Sequence, residues 1–270
     1  MPSLTFDEAW RCYRRAEPRL PAKPAPVTPR RVAAAADIAA SFDLVVLDAW
    51  GVLTIGDAPI PTAPAAVDRL RAEGLRLLIL SNDGTRRGAE AAARHRRRGI
   101  AIGDDEVSAG IDLVPGLLRD LAPAAPIGVI ADAPAPFPGL AGALLSLADD
   151  AADYDGVEAF LFLSSDGWSE GRQNLLEASL AARPRPLLIG NPDIASPEAD
   201  RMAAEPGYFG HALAERTGLA PIFCGKPFAP IYERVAARYP DVAPGRVLCV
   251  GDTLHTDILG GRAAGYRTLL

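Results

Sequence analysis

The chain is short of cysteine, of lysine and of long apolar runs, and each shortage excludes something. Its 270 residues hold three cysteines, Cys12, Cys224 and Cys249. They are too few and too scattered for a disulfide framework or a zinc site, and the last two lie in apolar runs where an inert buried thiol is expected. No apolar run approaches the roughly 18 to 20 residues that span a bilayer, and residues 1–10 carry acids instead of the apolar core of a signal peptide. A cytoplasmic protein is therefore expected. Charge is the next shortage: a net −6, without long runs of one sign, gives nothing for a polyanion to bind, so neither a nucleic acid nor a membrane is expected as a partner. Lysine occurs only at Lys23 and Lys226 while arginine abounds. A coding bias accounts for most of that, but a lone mid-chain lysine points weakly to a place that needs a compact ammonium and not a guanidinium.

What is present is ordinary globular material, 49% apolar and 23% charged, long enough for one large domain or a core with a smaller companion. Residues 5–17 have helical character and run into a proline-rich stretch, 18–29, that cannot continue a helix. Residues 30–40 read as an alanine-rich helix and 42–47 as a buried strand. A helix over 65–73, stopped by Gly74, and a continuous apolar strand over 75–80 complete a parallel βαβ unit. Helices follow over 88–98 and 113–121. From about Pro126 the pattern restarts, with strands at 127–131, 159–163 and 187–190 and a helix at 171–182. After Pro206 come a helix over 208–217, strands at 222–224 and 247–250, and a helix over 230–239 between them. The expected fold class is α/β: a Rossmann-like, doubly wound parallel sheet with an inserted α/β cap. The expected domains are an N-terminal extension (1–40), a core (41–123 and 207–270) and the cap (124–206).

Four segments follow predicted strands or close a loop beside them. Asp48 begins the stretch Asp48, Ala49, Trp50, Gly51; Ser81 and Asn82 follow the second strand; Lys226 lies in Gly225, Lys226, Pro227; Asp252 and Asp257 lie in the segment 251–257. Singly each has a plainer reading. Asp48 suits a turn, Asp252 can cap a helix over 257–264, and Lys226 can be a solvated charge. A P-loop is excluded, because Ala220 and Pro227 stand where it needs a glycine and a hydroxyl residue. Together and in this order, the four segments resemble the motifs of the haloacid dehalogenase superfamily, in the class IIA branch of NagD-like and p-nitrophenyl phosphatase-like proteins.

The resemblance spans residues 42–270. It implies a Mg²⁺-dependent phosphatase acting on a small phosphorylated metabolite through an aspartyl-phosphate. Asp48 would be the nucleophile and, with Asp252 and the backbone carbonyl of Trp50, a metal ligand. Asp257 would bind the metal through water or orient its neighbours, Ser81 and the backbone at Asn82 would donate to phosphoryl oxygens, and Lys226 would neutralise the transferring group. Substrate choice would fall to the cap, with Asn191, Asp193 and the loop 164–168 as candidates, though Asn191, Pro192, Asp193 is equally a plain turn sequence. Homo-oligomerisation stays open.

The departure is Trp50, which stands where the family has a second aspartate. That aspartate protonates the leaving oxygen and then activates water; indole does neither at neutral pH. General acid-base help is worth about 10²- to 10⁴-fold, so slow turnover, or restriction to good leaving groups, is expected. The alternative is a catalytically weak, phosphate-binding regulatory relative. Asp57 and His255 are candidate replacement acids, although His255, like His211, reads equally as a structural or surface residue.

Overall fold

The computed structural model describes residues 3–56, 58–121, 126–131, 144–197 and 201–270, which fall into two compact units. One comprises Leu20–Ser81, Arg86–Ala109 and Lys226–Leu270; the other comprises Met1–Arg19, Asn82–Thr85 and Gly110–Gly225. Among the described residues, no helix is long and apolar enough to cross a membrane.

The first unit is built on a five-stranded parallel sheet in the spatial order Arg267–Leu269, Val247–Val250, Leu44–Leu47, Arg76–Ser81, Val107–Ala109. The central strand has the sequence Leu-Val-Val-Leu, with every residue buried; a run apolar on both faces is what a strand covered on both sides requires. Its register is fixed on either flank, Val45 opposite Leu77 and Leu47 opposite Val250. The helix Ala63–Ala72 lies against this sheet because Ala63, Val67 and Leu70 recur at helical spacing and are its buried positions. Pro64 sits in its first turn, where no N–H is missed, and Gly74 (φ +82°) ends it. From the central strand the chain adds Arg76–Ser81 and Val107–Ala109 on one side and, later, Val247–Val250 and Arg267–Leu269 on the other. That makes the carboxyl edge of Leu44–Leu47 and Val247–Val250 the switch point where open α/β sheets bind ligands.

The second unit has its own five-stranded parallel sheet, ordered Ile222–Phe223, Leu187–Ile189, Ala159–Phe162, Ile127–Ile130, Leu144–Ser146. A three-stranded antiparallel sheet joins Ser3–Leu4, Met202–Ala204 and Ala195–Pro197. Phe162 packs on Trp168 (4.9 Å) and Phe209 (5.7 Å). The helix Glu170–Ala182 begins at Ser169, whose hydroxyl accepts from the Arg172 N–H.

Two expected boundaries differ from these units. The helix Pro206–Thr217 and the strand Ile222–Phe223 belong with the second unit, Ile222 pairing with Leu188, so the chain returns at Lys226 and not at 207. Apolar periodicity identifies an element; it does not say which of two parallel sheets will accept it. The N-terminal segment likewise divides. The helix Phe6–Ala16, started by a Thr5/Glu8 capping box, belongs to the second unit because Ser3–Leu4 pairs with Met202–Ala204, while residues 20–41 belong to the first. Within 30–40 only Ala35–Ser41 is helical, as a 3-10 helix opened by the Asp37 carboxylate on the Ala34 N–H; alanine propensity alone did not extend it.

Glu205 fastens the second unit's antiparallel sheet. Its carboxyl accepts from Asn191 Nδ2 (3.0 Å) and from the Ser196 hydroxyl, and its N–H bonds the Ile194 carbonyl. Burial pushes its pKa up to about 7, opposed by the Ser196 bond and helped by the negative charges of Asp193, Asp166 and Asp83.

Two expectations follow. Ile79→Ala, at a fully buried core position, lowers unfolding free energy by about 2–5 kcal/mol in urea titrations. For Glu205, a folded pKa above the unfolded one favours folding fully below about pH 4.5 and ceases to do so as pH rises through about 7. Hence, relative to Glu205→Gln, the wild type gains about 2–4 kcal/mol of stability between pH 8 and pH 5; identical pH dependence in the two proteins refutes the assignment.

Candidate active site

Asp48 and Asp252 stand one and two residues beyond Leu47 and Val250, which face each other across adjacent parallel strands. Strand spacing of about 4.8 Å therefore brings the two carboxylates to one edge before any side chain is considered. The Asp48 N–H bonds the Val250 carbonyl (2.9 Å), carrying the sheet pattern one residue past the strand. Asp257 joins them from the turn Leu254–Ile258. Carboxylate oxygens of Asp48, Asp252 and Asp257 all lie within 4.8 Å of one another.

Lys226 is the counter-charge. It is 2% exposed, and its ammonium donates to Asp48 Oδ1 and to Asp257 Oδ1, both at 2.6 Å. Asp48 Oδ1 also accepts from the Ala49 N–H (2.7 Å), and Asp257 Oδ2 from the Thr256 hydroxyl (3.2 Å). Three carboxylates against one ammonium leave two formal negative charges in a small volume. Asp252 registers this: although the residue as a whole is exposed, desolvation of its carboxyl raises its pKa, the Thr253 hydroxyl opposes, and Asp257 raises it further. Hard oxygen donors with a charge deficit of this kind fit a divalent cation such as Mg²⁺.

Glycines make the approach possible. A Cβ at Gly51 would lie 2.0 Å from Asp252 Oδ2, and Gly51 has φ +87° besides; a Cβ at Gly251 would lie 2.1 Å from the Asp257 side chain. Neither position admits a side chain without moving a carboxylate. The loop between Asp48 and Thr54 is closed by main-chain bonds, Gly51 N–H to the Thr54 carbonyl (2.8 Å) and Thr54 N–H to the Ala49 carbonyl (2.9 Å). Trp50 sits within it, bridged to Thr54, and its indole N–H is buried with no acceptor among the described residues.

Ser81 ends the strand Arg76–Ser81, two residues past Ile79, the partner of Leu47, and so reaches the same edge of the same sheet. Asn82 belongs to the second unit, where Nδ2 donates to Asp193 Oδ1 (2.9 Å). Asn191 accepts from the Asp193 N–H (3.0 Å) and donates to Glu205, so the three residues form one network. The sequence carries no pointer to Glu205 or to Thr256. A surface-type acid and a threonine carry no local signal, whereas Gly51 marks a turn directly after an aspartate at a strand end. Within the loop 164–168, Trp168 is buried and donates to Gln173 (2.9 Å), a packing role. His211 is buried and stacks on Phe223 (4.4 Å). His255 lies on the turn between Asp252 and Asp257; Asp57 lies outside the described residues.

Residues 45–135 match a family described as haloacid dehalogenase-like hydrolase, and residues 223–270 match one described as HAD-hydrolase-like. The chain is 32% identical to chronophin of Rattus norvegicus over 254 residues, 89% of this chain and 79% of that protein. Among solved structures, a possible sugar phosphatase from Cytophaga hutchinsonii shares the fold, with a TM-score of 0.76 at 22% identity, covering 89% of this chain and 88% of that one. A glycerol phosphate phosphatase from Mycobacterium tuberculosis in complex with magnesium has a TM-score of 0.69 at 25% identity, covering 86% of this chain and 68% of that one. The ordered motifs, the sheet that gathers them and these likenesses agree: the chain is a hydrolase of the haloacid dehalogenase-like family, in its class IIA branch.

Proposed function

We propose that the chain is a Mg²⁺-dependent phosphatase that hydrolyses a small phosphomonoester through an aspartyl-phosphate on Asp48. The observation that carries this reading is the buried ammonium of Lys226 held at 2.6 Å from both Asp48 and Asp257 beside the third carboxylate, Asp252. Such a cluster is electrostatically costly, and a site that must bring anions together gives it a use. A magnesium-bound relative supports the metal. Asp48, Asp252 and the main-chain carbonyl of Trp50 would hold the ion, with Asp257 behind them; when bound, it offsets the repulsion between Asp48 and a phosphoryl group.

The residues divide the work. The Ala49 N–H and the Lys226 ammonium fix Asp48 through Oδ1, and we assign attack on phosphorus to Oδ2. A bond forms from Oδ2 to phosphorus as the ester P–O bond breaks, and the alkoxide that departs needs a proton. Water then cleaves the acyl phosphate, returning Asp48 and releasing phosphate. Lys226 neutralises charge on the transferring group, and Ser81 with the Asn82 N–H would donate to its equatorial oxygens. Choice of leaving group we assign to Asn191 and Asp193 of the inserted unit, whose polar network suits a hydroxylated group. Three cysteines without disulfide partners accord with a cytoplasmic setting.

Trp50 favours a second reading, a phosphate-binding relative with weak turnover, because it offers no proton at either step. The two are separated with p-nitrophenyl phosphate. Metal-dependent hydrolysis that is lost on chelation and in Asp48→Asn supports the enzyme; binding of phosphate without turnover supports the other. Without an acid or base at residue 50, a phenolate still leaves unaided but the acyl phosphate waits for water, so the wild type gives a burst of nitrophenol followed by a slow steady state. Trp50→Asp removes the burst and raises kcat on an alkyl phosphate by about 10²-fold or more. A linear time course in the wild type together with an unchanged kcat in Trp50→Asp would defeat the proton-transfer argument while leaving the phosphatase assignment standing.

A further inference from the structure

We infer that the second unit carries a ligand site that shares no residue with the carboxylate cluster: a pocket for a small oxyanion, the phosphate or carboxylate group of a metabolite, between the helices Phe6–Ala16 and Pro206–Thr217. A cavity of about 350 Å³ opens there, lined by Cys12, Arg15, Arg19, Tyr208, His211 and Arg216 among others. Its volume falls in the range of small-molecule sites, roughly 300–1,000 Å³. It brings three guanidiniums to one wall carboxylate, the exposed Glu215, in a chain whose net charge is −6.

The way these arginines are held points to a ligand. Arg14, outside the cavity, pairs with Glu17 (2.8 Å), and Arg216 is tied to Glu177. Arg15 and Arg19 are different: among the described residues neither has a carboxylate within ion-pair distance. Arg19 donates from Nε to His211 Nδ1 (3.3 Å) and from a terminal nitrogen to the Arg15 carbonyl (3.2 Å), and Arg15 donates to Cys12 Sγ (3.3 Å). These acceptors orient the guanidiniums, and Glu215 acts on Arg15 only through space, without an ion-pair contact. His211 is a rigid support, 4% exposed and stacked on Phe223. Burial pushes its pKa down to about 4, with Arg19 adding to the shift, so at neutral pH it lends an acceptor and no charge. Two cations fixed four residues apart beside a cavity, with donors to spare, are arranged for an anion that bridges them. Tyr208 and Ile194 supply the less polar walls.

Cys12 provides a local readout. It is half-buried at the pocket, whereas Cys224 and Cys249 are fully buried, so iodoacetamide acting on the folded chain modifies Cys12 first. Alkylation is followed by mass spectrometry against inorganic phosphate and, separately, citrate, at constant ionic strength. Saturable slowing by phosphate, by citrate or by both is expected, and the arm that protects identifies the head group. The half-protecting concentration rises about tenfold in Arg19→Gln, the loss of one charge-assisted contact, and does not change in Asp48→Asn. Arg15→Gln, at an exposed position, gives the same shift and serves if Arg19→Gln fails to fold. No saturable slowing by either anion, equal slowing by chloride, or protection that persists unchanged in the arginine variants overturns the site.

Discussion

Everything at the candidate active site depends on one buried cation. Lys226 is almost completely removed from water, and its ammonium is compensated by Asp48 and Asp257 at once. An isolated ammonium in that position would cost several kcal/mol and would shed its proton; two carboxylates at hydrogen-bond distance reverse the balance. The dependence runs the other way too. Without Lys226, Asp48, Asp252 and Asp257 would be three like charges within 4.8 Å with no cation between them. One ammonium set against three carboxylates leaves an excess of negative charge that a divalent cation fits.

The sheet is what makes that pairing affordable. Parallel strands in register deliver Asp48 and Asp252 to neighbouring positions, and Gly51 and Gly251 clear the space their carboxylates and that of Asp257 occupy. Thr256 then holds Asp257 from behind, while Tyr232 reaches the Thr256 carbonyl (3.5 Å). Register, the two glycines and Thr256 are main-chain or small-residue features, so the positions of the three carboxylates are set largely by the backbone. Preorganisation of that kind is where most of the electrostatic advantage of such a site resides.

Local signals in the chain carry part of the fold. The strand Leu44–Leu47 and the helix Gly88–Arg97 were legible because apolar runs, helical spacing and glycine stops are written within a few residues. Asp48, Lys226, Asp252 and Asp257 were legible as a set because their order matches a family pattern, and the structure brings them together. What escaped depends on long-range pairing. Ile222–Phe223 looks like any short buried strand, and only its pairing with Leu187–Ile189 assigns it to the second sheet. Ser3–Leu4 is two residues long and gains meaning from Met202–Ala204 alone. Glu205 reads as a surface acid until Asn191 and Ser196 are folded onto it.

Trp50 shows why residue type and backbone role must be argued apart. The loop it occupies is closed by the Gly51 and Thr54 amides and by its own bridge to Thr54, none of which uses its side chain. A main-chain carbonyl at this position is available whatever the residue, so replacing an aspartate by tryptophan removes a proton carrier and spares the loop. The indole also brings a cost, since its N–H is buried without an acceptor among the described residues, and an unmet donor is worth about 1–3 kcal/mol. Neither the lost carboxyl nor the unmet donor bears on Lys226, Asp252 or Asp257. The substitution therefore separates two features of the edge of this sheet: the charge arrangement around Lys226, which this chain keeps, and a second carboxylate in the loop after Asp48, which it lacks.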